Sequence, residues 1–391
     1  MEAGVLIGLV GDVHVNRDRP REVFDAVRAV MDAPEITFGN LEGVYTDMPH
    51  PFPTAVSVLS APAHNLDAVA EVFDVLSLAN NHILDAGHEA MLDTRARLHK
   101  HGVRTCGAGE CESKAREPAV LERSGLRVGF LAYTSTFPMG CEARENRPGI
   151  APMRAYNVYR ERFATLYQPG MIPVVTTVPD EDDLEKLTRD VRHALERADL
   201  VVVSFHWGDY TRPFRLTDHE RRTAHHCIDQ GAHMVVGHHH HAIRGMEWYR
   251  GKPIFYGLGH FVFDRPMRMT PTEYMQWALK RDPTASCEND PYSMGPREGW
   301  PFLPMHEDTR MTLFAYAVGD ASGIDEVGFL PCRLGPDGLV RPLWLGSVES
   351  DEVIAYLDQC HSTQGLRSRI IAHKARMLAG HPTLRVIPAN S

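Results

Sequence analysis

Four consecutive histidines, His238 to His241 in VVGHHHHA, close a series of polar blocks that begins with Gly11-Asp12-Val13-His14. Between these ends stand Asn40-Leu41-Glu42, Ala79-Asn80-Asn81-His82 and His206-Trp207-Gly208. Asp, Glu, Asn and His supply the oxygen and nitrogen donors that suit first-row divalent cations. One such ion takes about four to six ligands, so a donor set of this size fits two ions sharing a carboxylate. Two cations side by side would lower the pKa of a water, polarise a scissile bond and stabilise the charge of attack. The chemistry expected is therefore hydrolysis.

Each block taken alone has a plainer explanation. Asp-x-His after a strand is commonly a turn, Asn80-Asn81-His82 could cap the helix expected over 88–101, and four histidines could be a solvated tract. What those explanations leave out is recurrence. Every block follows an apolar run, namely VLIGLV, EITF, VFDVLSL, LVVVSF and HMVV. Such runs read as strands of parallel sheets, whose carboxyl ends open on one edge where ligands bind. Five donor clusters are thus expected to converge.

The elements that must position them alternate along the chain. Helical patterns are expected at 20–32, 64–72, 88–101, 181–198 and 218–230, and a hairpin over 118–134 turning at Ser124-Gly125. The fold class is α/β, a layered arrangement with sheets sandwiched by helices. After residue 311, MTLFAYAV, EVGFLPCRL and LVRPLWLGS predict antiparallel strands, and two helices are expected at 351–361 and 364–379. Residues 1–350 would form the catalytic domain and 351–391 a C-terminal helical extension. Two long irregular stretches, 137–180 and 265–310, are expected to act as lid-like insertions. Arg144, Arg147, Arg212 and Arg215 are candidates for gripping a phosphate or carboxylate.

Composition narrows the function classes. With 391 residues, 43% of them hydrophobic, the chain can bury a large core. A net charge of −10 gives no basic footprint for a nucleic-acid polymer. The seven cysteines, Cys106, Cys111, Cys141, Cys227, Cys287, Cys332 and Cys360, include no Cys-x-x-Cys pair and suit a reducing cytoplasm. MEAGVLIGLVGD enters the first strand almost at once, so no membrane anchor is expected. A homo-oligomer stays open.

The segments GDVH, NLEGVYTD, LANNHILDAGHEAMLDT, RTCGAGE, VVVSFHWGDY, DQGAHMVVGHHHHAI and GKPIFYGLGHFVFD stand in an order that resembles a known family. It is the CapA-type proteins of poly-γ-glutamate capsule synthesis, a branch of the calcineurin-like metallophosphoesterases, and the resemblance covers roughly residues 5 to 264. It implies a layered αββα sandwich in which Asp12 and His14 hold a first metal, Glu42 bridges, and Asn81 and His206 hold a second. The family usually reads Gly-His-His-Pro-His where this chain has Gly237 followed by four histidines. That alignment makes His239 and His241 the remaining ligands. Alternation along an extended segment leaves His238 and His240 as a competing pair. The resemblance also turns His82 toward substrate, where an imidazole can protonate a leaving group. His260 stands where the family commonly has Asn, which places it among the substrate-binding candidates, although an imidazole there could also reach a metal.

The reading that results is a dinuclear metal-dependent hydrolase of a small phosphoester. Its ions would be Mn, Fe or Zn, with Mg less suited to a histidine-rich set. Amide chemistry on a γ-glutamyl or other carboxylate-rich substrate is the second reading, and a non-catalytic partner subunit the third.

Overall fold

The computed structural model describes residues 4–48, 51–54, 58–162, 170–266, 271–281 and 295–389. Among these, ten strands form one sheet and six form another. The larger sheet runs, in spatial order, through Ser368–Leu378, His381–Pro388, Gly323–Leu334, Met311–Asp320, Val5–His14, Ile36–Leu41, Val75–Ser77 and Arg104–Cys106. His260–Phe263 adds alongside Val5–His14, and Val340–Pro342 alongside Gly323–Leu334. The smaller sheet runs through Met246–Tyr249, Lys252–Phe255, Met234–His238, Leu200–His206, Leu126–Thr134 and Ala119–Arg123.

The two sheets pack face to face, as the expected layering requires. Val5, Ile7 and Leu9 of one share a core with Val128, Val202 and Val236 of the other, and Phe38 stacks on Phe130 at 5.1 Å between ring centroids. Burying both faces of each sheet explains why its strands are apolar throughout rather than alternating. Helix Gly87–Lys100 covers the outer face of the larger sheet through Met91 and Leu98. Helices Glu181–Arg197 and Asp218–Asp229 cover the smaller one through Leu187, Val191, Ala224 and Cys227. Helices, two sheets and helices form the αββα sandwich.

Three of the five predicted helices match closely, and so does the hairpin Ala119–Arg123 to Leu126–Thr134. The predicted helix at 64–72 is shorter, a 3₁₀ turn followed by Leu66–Ala70. Residues 20–32 depart further. They form a 3₁₀ turn, Pro20–Phe24, and one α turn, Arg28–Met31, because i to i−3 bonds such as Asp25 N to Glu22 O tighten the chain. Val23, Val27 and Val30 still reach the core, so the apolar spacing was real but the hydrogen-bonding pattern was not α throughout.

The carboxyl end holds the main correction. A helix does form there, Val348–Gln364, capped by the Ser347 hydroxyl and ended by Gly365 at φ 62°. The second expected helix, 364–379, is instead the strand Ser368–Leu378, paired with His381–Pro388. Ala379 and Gly380 both take positive φ, 48° and 86°, the two-residue turn that matches strand twist. Pairing of Val386 with Val327 then joins this hairpin to the larger sheet. Tertiary pairing overrides local helix propensity here, so 351–391 is not a wholly helical extension.

Of the two long insertions, 137–180 contains the hairpin Ala155–Arg160 with Val174–Pro179, and 265–310 contains helix Pro271–Arg281. Parts of both, and Cys287, lie outside the described residues. The six described cysteines are free.

Candidate metal centre

Parallel pairing brings the strand ends into line. Asp12 pairs with Asn40 on one side and His260 on the other, while His206 pairs with His238 and Thr134. The first strand can turn its carboxylate inward because Gly11 lets the chain press against the loop before His260. A Cβ at Gly11 would lie 1.8 Å from the Gly259 carbonyl oxygen, and Asp12 N bonds that same oxygen at 3.0 Å.

Around this point Asp12, Glu42, Asn81, His206, His239 and His241 come together. Carboxylate and ring-nitrogen atoms of Asp12, Glu42 and His206 lie within 4.8 Å of one another, and so do those of Asp12, His241 and His260. Asp12 is common to both groups. His206 Nε2 sits 2.8 Å from Asn81 Oδ1, 3.0 Å from His239 Nδ1 and 3.9 Å from Glu42 Oε1. His260, expected at the substrate rim, is instead fully buried, with Nε2 2.6 Å from His241 Nδ1. Its place is among the donors.

Electrostatics show why the cluster suits cations. Asp12, Glu42 and His14 are fully buried. Among the described residues, Asp12 Oδ2, both carboxylate oxygens of Glu42 and both ring nitrogens of His14 find no hydrogen-bond partner. Burial pushes Asp12 up to about 7, and burial together with Asp12 holds Glu42 well above the usual carboxylate range. The imidazoles move the other way, with His14, His238 and His239 lowered by burial to about 3. Neutral imidazoles facing orphaned carboxyl oxygens are the donors a divalent cation requires, and a cation would repay the desolvation of both carboxylates. The residues present fit divalent metal binding.

Geometry also separates the two registers of the histidine run. His239 and His241 take positive φ, 92° and 58°, so the segment is a turn rather than an extended strand. Both line the open pocket. His240 turns away, and its Nε2 lies 2.8 Å from Oε1 of Glu220, a fully buried residue three places into helix Asp218–Asp229. Gly208 makes room for that ring, since a Cβ there would come within 2.2 Å of His240 Nε2. His238 lies deeper, with Nδ1 3.5 Å from Asp12 Oδ1. Burial lowers the His240 pKa, so the contact is a buried hydrogen bond, and removing its acceptor leaves the ring unsatisfied at a cost of about 1–3 kcal/mol. Glu220→Ala should therefore lower the thermal unfolding midpoint markedly; a midpoint equal to wild type would remove this support from the turn.

His82 stands at the pocket edge. Its Nδ1 lies 2.7 Å from Asp85 Oδ2 and its Nε2 3.8 Å from Glu42 Oε1, so the free nitrogen faces the cluster. Asp85 does not cap the helix that follows, where Ala86 occupies the cap; it fixes the His82 ring while also accepting from Leu59 N at 2.6 Å. Asp209 accepts from Thr211 rather than orienting His206. Behind His206 is Asn40, whose amide donates to Asp12 Oδ1 at 2.8 Å and lies 3.3 Å from His206 Nδ1. Asn80 ties the loop down by donating to the Leu41 carbonyl at 2.7 Å and accepting from His82 N and Ile83 N. Asn40 and Asn80 were visible in the motifs, but nothing in the sequence distinguished a supporting amide from a ligand.

The pocket above these groups has a volume of about 500 Å³. Neither Arg144, Arg147, Arg212 nor Arg215 lines it. Arg144 and Arg147 pair with Glu142, Arg212 lies 3.7 Å from Asp209, and Arg215 is exposed. The arginine at the pocket is Arg265. Both insertions contribute wall, through Thr136, Phe137 and Pro138 from one side and Arg265, Tyr274, Trp277 and Met305 from the other.

Residues 7–265 match the family model described as bacterial capsule synthesis protein PGA_cap. The chain belongs to this family. Among curated relatives of this PGA_cap protein, the PGA biosynthesis protein CapA of Bacillus subtilis is 31% identical over 56% of this chain and 50% of its own length. The capsule biosynthesis protein CapA of Bacillus anthracis is 30% identical over 62% of this chain and 53% of its own. A probable polyglutamine synthesis accessory protein of Mycobacterium tuberculosis is 34% identical over 49% and 45%. The chain thus spans about half the length of these relatives. Two solved structures overlap it: a hypothetical protein from Thermus thermophilus, at TM-score 0.47 and 14% identity over 83% of this chain and 98% of its own, and the calcineurin-like phosphoesterase YfkN from Bacillus subtilis, at 0.33 and 12% over 93% and 98%. At such scores neither overlap bears on the reaction. No helix among the described residues is long and apolar enough to cross a membrane.

Proposed function

We propose that this PGA_cap protein is a hydrolase that uses two divalent cations to cleave a phosphoester of a small molecule. The observation that carries the reading is the pair of donor groups meeting at Asp12, with buried carboxyl oxygens that have no other partner. Asp12, His14, Glu42, Asn81, His206, His239 and His241 would hold the ions, and the position of His260 adds it to that set. When bound, the cations would activate a water, polarise the ester and offset the charge of attack. A set this rich in imidazole favours manganese, iron or zinc over magnesium.

The chain's own side chains supply the rest. His82 Nε2 protonates the departing oxygen, with Asp85 holding the ring through Nδ1, the arrangement by which a carboxylate fixes an imidazole's tautomer and orientation. Arg265 supplies a fixed positive charge at the pocket wall. The catalytic unit of this reading is residues 1–350, with 137–180 and 265–310 as its walls and lids and 351–391 as an extension. A reducing, cytoplasmic setting belongs to the same reading, and the free cysteines suit it.

A second reading, amide hydrolysis of a γ-glutamyl substrate, is favoured by the printed names of the capsule relatives. Manganese-loaded protein assayed on generic phosphoesters and on γ-glutamyl amides separates the two. Phosphate release is expected; release of amine without phosphate would reverse the order.

A further inference from the structure

The pocket wall opposite the donor cluster is not built for a highly charged ligand. Tyr210 lies edge-on to His239 at 5.7 Å and tilted against His241 at 5.6 Å, so an aromatic surface begins directly at the candidate ligands. Tyr274 and Trp277, three residues apart on helix Pro271–Arg281, share a face and stack at 5.6 Å and 26°. Both line the same pocket, together with Phe137 and Phe263. Among the described residues of that lining, Arg265 is the one lysine or arginine. It lines the same pocket as Asn81, His82, His239 and His241.

A chain with a carboxylate on every residue would have to desolvate several negative charges against this wall. Each would need a cation or hydrogen-bond donors in exchange, and among the described lining residues Arg265 and the metal end of the pocket are what offer positive charge. One anionic group at that end, attached to a flat ring resting on the aromatic wall, satisfies both halves. Aromatic faces gain from offset or edge-to-face contact with such a ring. A volume of about 500 Å³ falls within the roughly 300–1,000 Å³ usual for small-molecule sites.

We infer that the substrate is a phosphomonoester of an alcohol carrying a flat aromatic ring, a nucleoside or a phenol, with Arg265 near the phosphoryl group and Tyr210, Tyr274 and Trp277 against the ring. The inference rests on the phosphoesterase reading. In the reaction, the oxygen of water bonds to phosphorus as the ester P–O bond breaks. The departing oxygen takes a proton, so the products are inorganic phosphate and the free ring-bearing alcohol.

The test uses the full chain loaded with manganese and four compounds: adenosine 5′-monophosphate, phenyl phosphate, glycerol phosphate and a γ-glutamyl oligomer. At least one aromatic ester should exceed glycerol phosphate in kcat/KM by about tenfold, the scale of a ring-stacking contact. Which of the two leads tells nucleoside from phenol. Trp277→Ala should narrow that preference to about threefold or less, acting mainly through KM. Should that variant fail to fold, inhibition of the wild-type protein reads the same wall, with adenosine or phenol expected to compete and glycerol not. Equal kcat/KM on all three esters overturns the inference and leaves phosphoester hydrolysis standing. Amine release from the oligomer without phosphate from any ester, or no turnover at all, overturns both.

Discussion

Replacing His82 with alanine should lower turnover by roughly 10²–10⁴-fold, the range for losing a positioned acid or base, while metal content stays near that of the wild type. The split follows from the geometry. None of the atoms in the two donor groups belongs to His82, whereas its Nε2 faces the cluster from the pocket edge. Asp85→Asn should move in the same direction, because the amide that replaces the carboxylate can present a donor to Nδ1 and so favour the other tautomer. Metal analysis by mass spectrometry alongside steady-state kinetics reads both quantities. A fully active His82→Ala protein would end the proposed role.

The second large effect concerns metal affinity and its dependence on pH. Metal-free protein holds Asp12 up to about 7 through burial, and Glu42 well above the usual carboxylate range through burial and the neighbouring Asp12 carboxylate, which outweigh the charge of Arg265. A cation needs both ionised, so binding at pH 6 must displace protons that are largely gone by higher pH. The sign is fixed by these raised values: affinity rises with pH through 6 to 8, by up to about tenfold per pH unit for each proton displaced. The imidazoles contribute little to that slope. His14, His238 and His239, held near 3, are already neutral throughout the window. Calorimetric titration of manganese at pH 6 and pH 8 checks this, and equal affinity at both would mean the carboxyls are ionised without the metal. Asp12→Ala, which removes the residue common to both donor groups, should abolish high-affinity binding at either pH.

Much of this site was legible before the fold was seen because donors at strand ends are a local signal. An apolar run marks the strand, and the polar block after it marks the edge on which parallel strands open. The blocks holding Asp12, Glu42, Asn81 and His206 needed only that pattern to be gathered into one place, while the choice of ligand within each block came from the family resemblance. The supporting residues carried no comparable mark. Glu220 lies in an ordinary amphipathic helix, and its partnership with His240 exists only because that helix packs beside the turn. Asp85 reads equally as a cap or as the residue that aims His82, and only the 2.7 Å contact decides between them. Arg265 was passed over while four arginines in polar loops were singled out, since exposure and charge look alike in sequence whether a side chain meets solvent, a neighbouring acid or a pocket.

By itself the sequence determined the α/β layering, the convergence of five donor blocks and the kind of ion they suit, because periodicity and residue chemistry are short-range properties. Tertiary structure alone decided which histidines of the run face the pocket, where His260 goes, that residues 368–378 form a strand and what lines the pocket wall. Those outcomes depend on positive φ angles, cross-strand pairing and packing between segments far apart in the chain. No local pattern encodes such contacts, since each is settled by what the rest of the fold places opposite.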